Sequence, residues 1–152
     1  MEITSKRIVD IQELLAWRRE VIEHVFSKEA DASLLEANKD YYRRHISDGS
    51  HIAFIALCDG EEVGCGAVCI TEELPSPDNP SGRCAYLMNI YVREPYRHQG
   101  VGARIVENLV ECAAEEGCDK IYLETTDVGR PVYASLGFRD MPDMMKLNSY
   151  QS

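Results

Sequence analysis

The chain has 152 residues, of which 45% are hydrophobic and 28% charged, a composition typical of a globular protein and a length that fits one domain over residues 1–152. Its formal net charge of −10 argues against broad nucleic-acid binding, because neutralising phosphates requires a basic face. No apolar run is long enough to cross a bilayer and the first residues lack the apolar core of a signal peptide, so we expect a cytoplasmic protein with no membrane partner.

The first third of the chain predicts a short strand over residues 3–6 and then two helices. Asp10 stands at an N-cap position with Glu13 three residues later, and apolar residues follow at helical spacing. Ser33 and Glu36 repeat this capping pattern before a second apolar stripe. The sequence therefore predicts that Asp10 and Ser33 cap the two helices.

A β-hairpin is predicted next, with strands over residues 52–57 and 63–71. Asp59-Gly60 joins them, and glycine tolerates the positive φ that a tight turn requires. Gly64 and Gly66 lie in the second strand, where the missing side chains leave room for another element to pack closely.

A loop and five further elements complete the predicted fold. Three prolines mark residues 74–82 as a loop. The patterns then predict a strand over 85–92, a helix that Gly117 ends, a strand over 120–125, a short helix over 129–136 and a closing strand over 144–147. This order describes an α/β (α+β) fold in which helices cover a mixed sheet.

The six cysteines are predicted to be reduced residues of the core. They are Cys58, Cys65, Cys69, Cys84, Cys112 and Cys118, and most lie in apolar runs. No CxxC pair occurs, and no histidine stands at zinc-finger spacing from a pair of cysteines. We therefore expect neither disulfides nor a bound metal.

The segment 97–103 is a glycine-bearing turn between a predicted strand and a predicted helix. The free N–H groups of a helix N-terminus favour an anion, so the turn is either a pyrophosphate cradle or only a tight packing corner. It is not a P-loop, because Ala103 and Arg104 follow Gly102 in place of Lys and Ser/Thr. It also fails the dinucleotide fingerprint, since Ile105 takes the place of the third glycine.

Two motifs in order resemble those of the GNAT superfamily of acetyltransferases. Arg97-x-x-Gly100-x-Gly102 is similar to the family's acetyl-CoA pyrophosphate motif, Q/R-x-x-G-x-G/A, and residues 90–97 resemble the strand that leads into it. The run from Arg130 to Phe138, with Tyr133 near its centre, is similar to the family's LYxxxGF signature. The resemblance is clear over residues 85–147. It implies a GNAT-like mixed, mostly antiparallel sheet with helices on both faces and two strands splayed at the acetyl-CoA site.

The resemblance also implies positions for the co-substrate acetyl-CoA. The strands would splay after Val92 and Thr125, and strand backbone would bond the pantetheine arm, with the Ile90 N–H facing the thioester carbonyl. Tyr133 would be the general acid that protonates the CoA thiolate, although spacing alone is equally typical of a core aromatic. The Thr126 hydroxyl would bond the cofactor or only cap the short helix. The implied cofactor-binding residues are Ile90, Tyr91, Val92, Arg97, His98, Gln99, Gly100, Val101, Gly102, Ala103, Thr126 and Tyr133.

The general base and the acceptor site are less defined. Glu72, Glu73 and Glu124 are candidate bases, each of which could instead be a solvated surface group; the strand before Val92 carries no acid, which favours deprotonation through water. The N-terminal helices and the loop 74–82 are expected to form the acceptor site. Trp17, Tyr41 and Tyr42 would line that site or belong to the core.

The function implied by the resemblance is N-acetyl transfer from acetyl-CoA to a primary amine of a small molecule, peptide or protein. The acidic net charge would attract a cationic amine or serve only solubility. The alternatives are a GNAT-like module that binds acyl-CoA without transferring it, and an unrelated nucleotide-binding α/β protein. A homodimer is common among the proteins that the chain resembles.

Overall fold

Five strands and four α-helices follow one another in the described part of the chain, residues 1–149 of a computed structural model. Their bounds are β1 (Ile3–Ile8), α1 (Ile11–Val25), α2 (Ala32–Ser47), β2 (His51–Cys58), β3 (Glu61–Glu72), β4 (Arg83–Val92), α3 (Val101–Glu115), β5 (Lys120–Leu123) and α4 (Arg130–Ser135). No helix within residues 1–149 is both long enough and apolar enough to span a bilayer.

The predicted N-cap of α1 is observed, whereas α2 is capped by a different residue from the one predicted. The Asp10 carboxylate accepts from the N–H of Glu13 at 3.0 Å, so the predicted cap of α1 is confirmed. The predicted cap of α2 is wrong, because α2 begins two residues earlier. The Asp31 carboxylate accepts from the N–H of Leu34 at 2.8 Å, which leaves Ser33 inside the first turn.

The strands form one sheet in the order β1-β2-β3-β4-β5. The first three pairs are antiparallel, and β4 and β5 are parallel with α3 as the crossover between them. The predicted mixed, mostly antiparallel sheet is therefore confirmed.

Helices cover both faces of the sheet. On one face, α3 buries Ile105 and Leu109 against residues of the central strands such as Val68 and Leu87. On the other face, α1 and α2 supply a second buried cluster that contains Leu14, Trp17 and Tyr42. The six cysteines are free. Four of them are buried, in agreement with the predicted place in the core, whereas Cys69 and Cys112 are half-buried.

Gly66 allows α3 to lie directly on β3. A Cβ atom at this position would lie 2.7 Å from Cγ2 of Ile105 and 3.0 Å from Cδ1 of Leu109. At Gly64 a Cβ would lie 2.5 Å from the carbonyl oxygen of Tyr91. The prediction that these glycines admit a closely packed element is therefore confirmed: the element is α3 at Gly66, and at Gly64 the closest atom belongs to β4, with Cδ1 of Ile105 in α3 at 3.2 Å.

The strand predicted over 144–147 is not formed, and β5 is the last strand of the described residues. The N–H of Met144 donates to the carbonyl oxygen of Met141 in a turn. The side chains of Met145 and Leu147 are 99% and 73% exposed, so this segment lies largely uncovered outside the core.

Candidate active site

The parallel strands β4 and β5 pair over only four residues each. Residues 84–87 lie opposite residues 120–123. β4 then continues to Val92, while β5 ends at Leu123. The two strands therefore part after Leu87 and Leu123, earlier than the points after Val92 and Thr125 that the sequence predicted. The edge of β4 that faces this gap is left without a strand partner in the described residues.

A β-bulge in β4 lies at the point of divergence. Cys65 pairs with Tyr91 and Ala67 with Met88, so that Asn89 and Ile90 together oppose the single residue Gly66. Asn89 has a φ of +56°, a left-handed conformation that asparagine adopts more readily than most residues. A bulge bends its strand and increases the local twist, and it therefore accounts for β4 leaving β5 here.

The turn before α3 presents a run of free backbone N–H groups. His98 and Gly100 have φ of +62° and +84°, and the first amide with an α-helical acceptor is Arg104, which donates to Gly100 O at 3.1 Å. Within residues 1–149, the N–H groups of 98–103 donate no hydrogen bond. Successive free amides at a helix N-terminus form a concave site for an anion such as pyrophosphate.

The space over this turn is open. A Cβ at Gly100 would meet no atom within 4 Å, and one at Gly102 would meet only Cγ2 of Val92 at 3.9 Å. Packing within the chain therefore does not require glycine at either position. The φ of +84° favours glycine at Gly100 whatever surrounds it, and the open space leaves room for a ligand to approach the backbone at both positions. The turn thus fits the phosphate cradle better than the tight packing corner.

Arg97 follows β4 and is oriented by a hydrogen bond to the last residue of that strand. Its Nε donates to Val92 O at 2.8 Å, and its guanidinium lies 5.9 Å from the centre of the Tyr91 ring. The side chain is exposed, and its two terminal nitrogens have no hydrogen-bond acceptor in the described chain. Arg97 can therefore present these nitrogens to a phosphate beside the turn.

Tyr133 of α4 lies between two cavities of about 710 Å³ and 410 Å³. The larger is enclosed by β5, α4 and the segment after it, and the smaller by α1, β4 and the turn after β5. Tyr133 lines both. Burial raises its pKa, so the phenol keeps its proton at neutral pH and can donate it. Within the described residues its hydroxyl has no hydrogen-bond partner.

The Thr126 hydroxyl has a local role. Its Oγ1 accepts from the N–H of Gly129 at 3.3 Å, and its carbonyl oxygen accepts from the N–H of Arg130 at 3.1 Å. These bonds hold the turn into α4, which agrees with the capping interpretation. Thr126 also lines the smaller cavity.

Only one of the three candidate bases lines either cavity. Glu73 binds Asn79 at 3.0 Å and Lys120 at 3.2 Å, and these hydrogen bonds lower its pKa. Glu72 lies opposite Arg83 in the register of β3 and β4, at the end of β3 that is far from the bulge. Glu124, in contrast, lines both cavities.

The aromatic residues expected at the acceptor site lie elsewhere. Trp17 and Tyr42 are buried in the core, and Tyr41 bonds through its hydroxyl to His51 at 2.8 Å. Neither these three residues nor the loop 74–82 lines either cavity. For Trp17 and Tyr42 the structure supports the core interpretation.

Two residues that the sequence did not single out occupy the smaller cavity instead. Arg18 and Asn89 both line it and are joined by a hydrogen bond of 2.9 Å. For Asn89 the sequence offered one signal, which is a polar residue inside an otherwise apolar strand. Nothing in the local sequence distinguishes Arg18 from the neighbouring Arg19.

The split sheet and the helix N-terminus with free amides are the two features that the resemblance to the GNAT superfamily implied for the acetyl-CoA site. Residues 11–138 match the model of the acetyltransferase (GNAT) family. Since this match covers more than half of the 152 residues, the chain belongs to the GNAT family.

The chain is similar to curated proteins with acetyltransferase names. It is 29% identical to thialysine N-epsilon-acetyltransferase of Sus scrofa, over 54% of this chain and 61% of that protein. It is 30% identical to glucosamine 6-phosphate N-acetyltransferase of Trypanosoma brucei brucei, over 41% of this chain and 43% of that protein. The chain thus spans less than two thirds of these relatives.

Solved structures share the whole fold. A protein of Clostridium acetobutylicum, described as a predicted acetyltransferase and crystallised with acetyl-CoA, superposes with a TM-score of 0.81. It is 24% identical, and the match covers 97% of this chain and 96% of that one.

Proposed function

We propose that the protein is an N-acetyltransferase that moves an acetyl group from acetyl-CoA directly to a primary amine. The observation that carries the proposal is the position of Tyr133, which faces both cavities beside the gap between β4 and β5. A phenol at such a junction can reach a thioester on one side and an amine on the other. Thialysine and glucosamine 6-phosphate, the acceptors in the names of its relatives, are both primary amines.

The donor would lie against the unpaired edge of β4 and the turn before α3. The free N–H groups of 98–103 and the terminal nitrogens of Arg97 would bind the pyrophosphate. The backbone of Ile90, Tyr91 and Val92 would bond the pantetheine arm, because this edge has no strand neighbour. Thr126 and Tyr133 would complete the site near the thioester.

Acetyl transfer forms one bond and breaks one. The neutral amine nitrogen attacks the thioester carbonyl carbon, the C–N bond forms, and the C–S bond breaks to release CoA as a thiolate. Tyr133 donates its proton to that thiolate, while the Ile90 N–H stabilises the negative charge on the carbonyl oxygen. The amine loses its excess proton to water, since β4 offers no carboxylate before Val92. Solvent returns a proton to the Tyr133 phenolate, so the proton lost by the amine balances the one gained by CoA.

The test is release of CoA with acetylation of a defined amine. The protein is incubated with acetyl-CoA and polyamines, amino acids, amino sugars and peptides, and both thiol and acetylated amine are measured. We expect both products in equal amounts with at least one amine. Binding of acetyl-CoA without transfer to any amine would contradict the proposal and indicate a sensor module.

A thermal-shift comparison separates this donor from other nucleotides. A ligand at about 100 times its Kd stabilises a fold by roughly 2.7 kcal/mol, so acetyl-CoA is expected to raise the Tm while ATP and NAD do not. A shift with ATP or NAD and none with acetyl-CoA would point to a different nucleotide-binding activity.

We further propose that residues 1–152 act as one domain in the cytoplasm. Both buried clusters share the single sheet, which supports one folding unit. Six free cysteines are typical of a reducing compartment. The homodimer stays a prediction, for which the measurement is analytical ultracentrifugation.

A further inference from the structure

Arg18 is the basic residue at the wall of the smaller cavity, where the proposed function puts the acceptor. It belongs to α1 and is partly buried. A guanidinium keeps its charge at any physiological pH. The cavity therefore presents a permanent positive charge on the side of the sheet covered by α1.

No carboxylate neutralises this charge in the described part of the chain. Nε of Arg18 donates to Asn38 Oδ1 at 3.1 Å, and Nη1 donates to Asn89 Oδ1 at 2.9 Å. Both partners are neutral amides. Nη2 donates to nothing within residues 1–149. The guanidinium also lies over the face of Phe26, whose ring centre is 5.5 Å away.

Arg93 shows how the same fold treats a structural arginine. Its Nε and Nη2 form a two-point pair with the Glu20 carboxylate at 3.0 and 3.1 Å. The chain has 26 acidic and 16 basic residues, so acids are abundant. Arg18 is held by two amides and forms no ion pair within residues 1–149, so its guanidinium is suited to take an anionic partner from a ligand.

The two amides also fix the direction of the guanidinium. Asn38 Nδ2 donates to Leu34 O at 2.8 Å, which turns its Oδ1 toward Arg18. Asn89 is held in the bulge of β4 at a φ of +56°. Arg18 is therefore oriented before any ligand binds, and such preorganisation favours affinity.

Glu124 gives the same cavity a negative group. Its carboxylate is exposed at the turn after β5 and close to Tyr86. Burial raises the pKa of Tyr86 to about 12, and the charge of Glu124 contributes to the rise. A carboxylate here can attract an ammonium group, while Arg18 attracts an anion.

We propose that the acceptor is a primary amine that also carries a carboxylate or a phosphate, and that Arg18 binds this anionic group. This inference rests on the proposed function. The sequence alone favoured a cationic amine. The proposed acceptor is more specific, an amine with an added anionic group, because Arg18 and Glu124 give the cavity charges of both signs. Nε and one N–H of Nη1 are bonded to the asparagines, which leaves Nη2 and the second N–H of Nη1. A carboxylate or a phosphate can accept from both of these nitrogens.

Two pairs of amines, each differing only in an anionic group, test whether that group contributes to binding. L-Lysine and cadaverine differ by a carboxylate, and glucosamine 6-phosphate and glucosamine differ by a phosphate. Binding of each is measured by calorimetry to the protein saturated with CoA, which needs no turnover, and transfer is measured separately. We expect the anion-bearing member of at least one pair to bind about 10-fold to 100-fold more tightly. The pair that shows the preference identifies the anion.

Arg18→Gln and Arg19→Gln are the matched variants, since both remove one positive charge from adjacent positions of α1. Arg19 is exposed and does not line the cavity. Arg18→Gln is expected to abolish most of the preference for the anion-bearing member, and Arg19→Gln to retain it. Thermal unfolding confirms that both variants are folded.

Three results overturn the inference: equal binding within both pairs, no binding of either anion-bearing member, or equal loss of preference in the two variants. The first two come from the unaltered protein and do not depend on how a variant folds. Failure of CoA release with every amine would instead contradict the proposed function, while the binding preference still decides the role of Arg18.

Discussion

Gly66 in β3 and Ile105 in α3 approach so closely that a Cβ on the glycine would lie 2.7 Å from Cγ2 of the isoleucine. The same glycine lies opposite the bulge that contains Asn89. One small residue therefore both seats the helix and faces the irregular part of β4. Because α3 carries the free amides at its N-terminus, this packing also sets the position of the phosphate cradle.

Gly66→Ala is expected to destabilise the fold by about 1–3 kcal/mol, the usual cost of overfilling a core. The free energy of unfolding is measured in urea without acetyl-CoA. Gly102→Ala is the control, because its Cβ meets only Val92 Cγ2 at 3.9 Å and alanine is the better helix former. Equal stability of Gly66→Ala and the unaltered protein would contradict the close packing of α3 on β3.

Gly100→Ala is expected to weaken acetyl-CoA binding by at least about tenfold, because the added Cβ occupies the cradle and strains its amides. Gly60→Ala in the hairpin is the matched control. Both glycines have φ near +85° (+84° and +86°) and no atom within 4 Å of an added Cβ. Both variants should lose about 1–2 kcal/mol of stability, measured by urea unfolding.

Only Gly100→Ala should change the Kd of acetyl-CoA, measured by calorimetry. If the two variants bind acetyl-CoA equally well, the turn before α3 is not the pyrophosphate site.

The stability of the fold is expected to depend on His51 between pH 6.5 and 4. His51 is 2% exposed, and burial, with the charges of His45 and Arg18, lowers its pKa to about 4. The unfolded chain, with a histidine pKa of about 6.5, binds more protons in this window. The free energy of unfolding therefore falls as the pH falls, by about 3 kcal/mol over the window.

Urea unfolding at pH 7, 5.5 and 4.5 measures this slope. His51→Gln should reduce this slope, whatever its own stability at pH 7, and His24→Gln at an exposed position should not. The slope that remains comes from carboxylates such as Glu73, whose pKa is lowered in the fold. A slope in His51→Gln equal to that of the unaltered protein would show that other groups cause the acid sensitivity.

Much of the fold could be predicted from local sequence. The Asp10 cap, the Asp59-Gly60 hairpin and the glycine turn before α3 depend on residues close together in the chain. Their conformations are set by local hydrogen bonds and by the positive φ that glycine accepts. The position of Tyr133 in a short helix was also predicted.

The irregular features depend on contacts between distant residues. The bulge at Asn89 forms where β4 faces Gly66, and the predicted straight strand over 85–92 contains no turn residue except that asparagine. The hydrogen bond between Arg18 and Asn89 joins residues 71 apart in the chain. The predicted strand over 144–147 failed for the opposite reason, since its apolar pattern has no partner to cover it.

The role of Tyr133 as the general acid is tested most directly by measuring kcat for acetyl transfer and the Kd of acetyl-CoA in Tyr133→Phe. The substitution removes only the phenolic oxygen, so we expect kcat for acetyl transfer to fall about 10²- to 10⁴-fold with the Kd of acetyl-CoA unchanged. Tyr42→Phe, which removes the same atom from a residue of the core, should retain kcat. An unchanged kcat in Tyr133→Phe would contradict the account.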